Sequence, residues 1–145
     1  QDIETRVVGW VKTYADTITE NYRRYHIETL EGNLSGKYPE YARKQLDEIK
    51  NGTANLMWFK VKTGKKYYKI VQQEFETWEG SKYYGQYRDA SVHAFVDKKT
   101  GQVFKPASWA APAKHVRFDL RIIREREFLF NPDNTTWAGG YLYMR

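Results

Sequence analysis

The chain contains no cysteine, only three histidines and four prolines, and no long apolar run. Without cysteine there is no disulfide staple, no thiolate zinc site and no thiol nucleophile, so the core must stand on packing alone. No stretch approaches the ~20 apolar residues needed to span a bilayer. No secretory leader is visible, although the chain begins at Gln1 rather than Met, which leaves room for a trimmed segment. The expected setting is cytoplasmic, or host cytoplasm or virion for a viral protein, with no membrane.

Catalytic signatures are equally sparse. The phosphate cradles G-x-x-x-x-G-K and G-x-G-x-x-G are missing, Gly-x-Ser-x-Gly is missing, and Gly139-Gly140 opens no expected helix. His26, His93 and His115 fall in an expected helix, strand and loop without H-x-H or HExxH spacing. The carboxylate pairs Glu74/Glu76 and Glu125/Glu127 could each share a strand face, and such pairs can hold a divalent cation. Arg124-Glu125-Arg126-Glu127, however, alternates in sign like a solvated strand with cross-strand ion pairs. The one Glu-x-Lys, Glu48-Ile49-Lys50, lies on an expected helix, where nuclease geometry fails. No catalytic residue, metal or cofactor is expected.

Aromatic and basic residues are what the chain does have. Its 145 residues include 12 Tyr, 7 Phe and 5 Trp, ample apolar area for one core, and a disordered chain would be depleted in them. Net charge is +6, unevenly spread: residues 1–52 carry 8 Lys and Arg against 9 Asp and Glu, net −1, and residues 53–145 carry 16 against 9, net +7. The second part also holds 18 of the 24 aromatic residues.

Periodicity divides the chain at the same place. Val7, Val11, Tyr14, Ile18, Tyr22 and Tyr25 recur at steps of three and four, the stripe of an amphipathic helix that can run through Leu30 to Gly32-Asn33. A second helix starts at Pro39, buries Tyr41 or Ala42 with Leu46 and Ile49, and stops at Asn51-Gly52. From Leu56 the period falls to two. Leu56–Lys62 and Lys66–Phe75 flank Thr63-Gly64-Lys65 as a hairpin, and residues 77–90 read as a loop or irregular strand. Ser91–Val96 and Gln102–Lys105 enclose the turn Asp97–Gly101, with Pro106 ending the second strand. Val116, Phe118, Leu120 and Ile122 alternate as a half-buried strand, followed by a bulge or bend near Arg124 before Phe128–Phe130. Asn131-Pro132-Asp133-Asn134 reads as a turn, and Thr136–Met144 as a last strand.

The expected fold is therefore α+β in one domain, 1–145, with a helical layer (1–52) on one face of a twisted antiparallel sheet of about six strands (53–145). Cystatin-like and NTF2-like folds share this order, but a fold alone assigns no function.

The candidate binding residues follow from the sheet. Lys60, Lys62, Lys65, Lys66 and Lys69 belong to the first hairpin, Lys98, Lys99 and Lys105 to the second, with Tyr84 and Tyr87 between them and Arg117 and Arg121 on the following strand. Lysines that neutralise phosphates and rings that stack on bases are how single-stranded nucleic acid is held without sequence preference. Hairpin tips are also ordinarily Lys-rich, and edge lysines block aggregation, so the residues must share a face to bind anything.

The segment Ser91–Lys114, SVHAFVDKKTGQVFKPASWAAPAK, resembles one in small uncharacterised proteins of tailed phages, especially marine ones: a short strand, a D-K-x-T-G turn, a second strand and a K-P/A-x-x-W-x-A-P-A-K tail. The resemblance spans about 24 residues, implies viral or virus-derived ancestry, and brings no activity with it. The same hairpin resembles the V-D-x-x-T-G-x-V ending of PepSY-like domains.

Three functions stay open at this point. The first is a non-enzymatic binding or assembly protein of phage or phage-derived origin, self-associating or taking a viral or host protein partner. The second is a single-stranded nucleic-acid-binding protein using the basic aromatic sheet. The third is a small-molecule or enzymatic pocket of NTF2-like type between helices and sheet.

Overall fold

The apolar stripe at the start of the chain forms α1 (Ile3–Asn33), capped by the Asp2 carboxylate, which accepts the Thr5 N–H at 2.9 Å. A computed structural model describes residues 2–143. At 1.5 Å per residue α1 is about 46 Å long, and its stripe serves two neighbours. Val7, Val11, Tyr14 and Ile18 are fully buried against the sheet, and Leu30 is buried further along, in the half that runs beside α2 (Pro39–Asn51). Between them Tyr22 is half-buried and Tyr25 exposed. α2 begins at Pro39 and ends at Gly52, whose φ of 75° suits glycine. Its buried side is Ala42 with Leu46 and Ile49 half-buried, so Tyr41 is the outward residue of the two alternatives.

The sheet is a five-stranded antiparallel meander, β1 (Trp58–Thr63), β2 (Tyr67–Phe75), β3 (Tyr87–Asp97), β4 (Gln102–Phe104) and β5 (Phe118–Asp119), in that spatial order. The chain is thus an α+β fold with two N-terminal helices against an antiparallel sheet. β1 and β2 pair Phe59 with Gln72, Val61 with Ile70 and Thr63 with Tyr68. β3 pairs Val96 with Tyr68 and Ala94 with Ile70, then skips His93 and, further on, Ala90. Each skip is a bulge that turns the strand without ending it. β3 therefore starts at Tyr87, four residues before the expected Ser91.

One face of this sheet packs on α1. Phe59, Ile70, Ala94, Val96, Val103 and Phe118, none above 2 % exposure, meet Val7, Val11, Tyr14 and Ile18. The layer where an NTF2-like fold would keep a pocket is occupied by these side chains.

The C-terminal part departs from the strand pattern. The alternation Val116–Ile122 yields only the two-residue β5, because the Asp119 carboxylate turns back to accept the Arg121 N–H at 2.9 Å. Where a bulge and strand were expected, Ile123–Leu129 forms a third helix, α3. Arg126 decides its phase: its guanidinium donates to the Leu120 carbonyl at 2.8 Å and lies 4.4 Å from the Trp10 ring, while Leu129, one turn on, is fully buried. Glu125 and Glu127 consequently share no strand face. The turn at 131–134 forms as expected.

The expected last strand, Thr136–Met144, is instead a turn and a 3-10 helix over Gly140–Tyr143, with Met144 outside the described residues. Gly139 sits at φ 83°, a left-handed conformation that only glycine adopts without strain, and a Cβ there would be in ordinary contact with the His93 ring. The sharp reversal drives Tyr141 and Leu142 back into the core.

Candidate binding face

Helices cover one side of the sheet only. On the other side, which no helix covers, strand alternation directs Trp58, Lys60 and Lys62 of β1, Tyr67, Lys69, Val71, Gln73 and Phe75 of β2, and Tyr87, Asp89 and Phe95 of β3, with Val71 and Gln73 buried at its centre. At one end of this face Tyr87 meets Trp58 edge-on (6.2 Å, 88°) and Phe75 (5.3 Å, 75°), and its hydroxyl donates to the Leu56 carbonyl at 2.8 Å. Trp58 and Tyr87 remain 38 % and 36 % exposed, beside a recess of about 260 Å³ walled also by Arg23, Ile49 and Leu56.

At the other end the segment after β4 folds onto the same face. Pro106 and Pro112 pair across it, Ala107 and Ser108 both donate to the Ala111 carbonyl, and Trp109 is held at its tip. The Lys69 ammonium lies 4.9 Å from the Trp109 ring and 5.7 Å from that of Phe95, which also contacts Tyr67. Phe95 is thereby closed off at 1 % exposure, and Trp109 stays half open.

Between the two aromatic ends lie the cations. Lys62 pairs with Asp89, whose carboxyl also accepts from Gln73 at 2.7 Å; these two hydrogen bonds hold Asp89 below the usual carboxylate range. Lys60 is exposed. On the helix-covered side, Arg88 takes Glu76 at 2.9 Å and Glu74 at 3.4 Å, so this carboxylate pair serves an arginine. The Arg88 hydrogen bond is the main reason that the Glu76 carboxyl is lowered.

The buried histidine belongs to the scaffold. His93 Nε2 lies 2.7 Å from the Tyr141 hydroxyl, which lies 2.6 Å from that of Tyr14, and the ring also bonds the Trp137 backbone. Tyr141 is thus the middle member of a buried chain of three polar side chains. Burial lowers His93 to about 4 and raises both phenols. His26 stacks on Tyr22 in α1, and His115 occupies the exposed segment before β5. Among the described residues no group of three or more His, Asp or Glu could hold a metal, and no helix is long and apolar enough to cross a membrane.

Residues 1–144 match the model of a family of unknown function (DUF7717). The chain belongs to that family. No curated protein and no solved structure matches it.

In this DUF7717 member the sequence-derived binding residues fall into three groups. Lys60, Lys62, Lys69 and Tyr87 share the uncovered face. Lys65, Lys66, Lys98 and Lys99 gather at the end where the β1–β2 and β3–β4 turns meet, joined by Lys98 N–H to the Lys66 carbonyl at 3.1 Å. The rest lie apart. Tyr84 is exposed in the β2–β3 loop, and Lys105 lies over the Tyr143 ring at 4.5 Å. Arg117 is half-buried, its backbone N–H on the Val103 carbonyl, and Arg121 is bound to Asp119 at 2.8 Å. Trp58 and Trp109 are the binding-face residues that charge counting overlooked. Trp58 carried a signal, since it shares the polar phase of β1 with Lys60 and Lys62. Trp109 carried none, because its place depends on how the proline-bounded segment folds back.

Proposed function

We propose that this chain is a non-enzymatic binding protein that holds single-stranded nucleic acid on the uncovered face of its sheet. The observation that carries the reading is the shared face: Trp58, Tyr87 and Trp109 stand partly exposed there with Lys60, Lys62 and Lys69. Each base offers a ring face to an exposed aromatic, and each phosphate a charge to an ammonium, with no sequence preference needed. The tailed-phage ancestry drawn from Ser91–Lys114 belongs to the same proposal.

Fluorescence anisotropy with a labelled oligothymidylate tests it. Affinity should fall steeply with salt, and Lys60→Ala should lower the slope of log K against log salt by about 0.7, the value for one phosphate contact on a single strand. The matching duplex, whose bases are already stacked, should bind more weakly. Absence of binding at low ionic strength, or binding indifferent to salt, would end the proposal.

A second reading concerns the far end of the helices. Tyr38 and Tyr41 are 72 % and 65 % exposed beside a recess of about 670 Å³ formed with Asn33, Gly36 and Lys37. Exposed tyrosines of this kind favour a protein interface, with a second copy as the simplest occupant. Sedimentation velocity should show a concentration-dependent dimer that Tyr38→Ser with Tyr41→Ser dissolves; a strict monomer at every concentration would remove it.

A further inference from the structure

Two Lys-Lys pairs meet at one end of the sheet, and neither turn needs them to fold. In the β3–β4 turn the folding groups are Asp97 and Gly101. The Asp97 carboxylate accepts the Lys99 and Thr100 N–H groups at 2.8 and 3.1 Å, and Gly101, at φ 75°, donates to the Asp97 carbonyl. In the β1–β2 turn, Gly64 N–H donates to the Tyr67 carbonyl at 2.9 Å. Lys65, Lys66 and Lys99 could be any polar residue as far as either turn is concerned.

The meander nevertheless brings together two turns 34 residues apart. Lys98 Nζ reaches the Gly64 carbonyl at 3.1 Å, and its N–H reaches the Lys66 carbonyl at the same distance. Lys65, Lys66, Lys98 and Lys99 then surround a recess of about 390 Å³ whose other lining residues are Glu4 and Asp97. The lining thus carries four lysines against two carboxylates, a formal net of +2, and Asp97 is already committed to its own turn. None of the four lysines makes an ion pair among the described residues. Cations gathered around one recess repel one another, and a multiply charged anion relieves that repulsion best.

The recess lies where the end of the sheet meets the start of α1, with Lys98 over the Tyr68 ring on the helix-covered side, and Lys66 joins it to the binding face. Lys66 lies 5.3 Å from the ring of Tyr67, the first uncovered residue of β2. A terminal phosphate carries close to two negative charges at neutral pH, against one for each bridging phosphate of a strand. We infer that the recess takes the terminal phosphate of the bound strand, so that the protein favours strand ends over strand interiors. This rests on the nucleic-acid reading above.

The test uses one oligonucleotide sequence in three forms: 5′-phosphorylated, 3′-phosphorylated, and with hydroxyl groups at both ends. One phosphorylated form should bind about tenfold tighter than the hydroxyl form at moderate salt. Lys65→Ala with Lys99→Ala, two exposed positions, should erase that advantage, lowering affinity for the phosphorylated form more than for the hydroxyl form, and leave the unfolding midpoint nearly unchanged. Inorganic tripolyphosphate should displace the phosphorylated strand at lower concentration from the native protein than from this double variant. Equal affinity for all three strands, or an end preference that survives the double substitution, overturns the inference while the face reading stands. Failure of every strand to bind sinks both.

Discussion

Tyr141→Phe is expected to cost far more stability than Tyr14→Phe, although both remove one buried hydroxyl. Tyr141 is the middle of the buried chain, bonded to His93 Nε2 at 2.7 Å and to the Tyr14 hydroxyl at 2.6 Å. Its loss leaves two buried groups without partners, at roughly 1–3 kcal/mol each. Loss of the Tyr14 hydroxyl removes one of the two partners of Tyr141, which still bonds to His93, so about 1 kcal/mol is expected. Urea midpoints of the two variants measure the difference, and equal midpoints would refute the central place of Tyr141 in the chain.

The same chain makes the fold acid-sensitive. Burial lowers His93 in the folded protein to about 4 from 6.5, so the unfolded state takes up the proton first. Stability from this group is fully present above pH 6.5 and is lost as the pH falls through that window toward 4. The full shift corresponds to about 3 kcal/mol at 1.36 kcal/mol per unit. His26, also lowered by burial, adds a smaller change of the same sign. A pH series of urea midpoints between 7.5 and 4.5 should slope downward in the native protein and flatten in His93→Gln. A profile in His93→Gln as steep as the native one would show that other groups carry the acid response.

How much of this was legible in the sequence depended on whether the deciding contact was local. The stripe Val7 to Ile18, Pro39 before α2 and Gly52 after it, and the Asp97–Gly101 turn all act within a few residues of themselves, and those elements appear where the pattern puts them. The run Arg121–Phe130 is different. Its charges alternate like a strand, but its apolar residues also fit a short helix, and the choice is made by Trp10 and Leu120 receiving Arg126. No window along the chain holds both partners. The last segment fails for the same reason: Tyr141 turns inward to reach Tyr14, 127 residues away. For the candidate face, alternation along β1 and β2 was enough to group Lys60, Lys62 and Lys69, since a strand fixes which side chains share a side. The meeting of Lys65 and Lys66 with Lys98 and Lys99 required the strand order, which no local pattern contains.

Adjacent residues on β1 separate folding from binding. Phe59 is 2 % exposed, lies 5.2 Å from the His93 ring, and takes the Thr19 hydroxyl as acceptor for its N–H at 3.0 Å, tying the edge strand to α1. Phe59→Ala should lower the unfolding free energy by about 3–5 kcal/mol, because the surrounding core cannot collapse around the vacated ring. Trp58, one residue earlier, points to the opposite side and keeps 38 % of its surface open, with an edge contact to Tyr87. Trp58→Ala should cost about 1 kcal/mol of stability yet weaken single-strand binding by about tenfold, the loss of one stacked base. Under conditions where both variants stay folded, Phe59→Ala should bind almost as the native protein does. The pair gives a crossed pattern, stability lost at one position and affinity at the next, read by urea unfolding and anisotropy on the same samples. If Trp58→Ala binds normally, the bases do not lie on this face. If Phe59→Ala loses affinity while still folded, the strand is held on the helix-covered side instead.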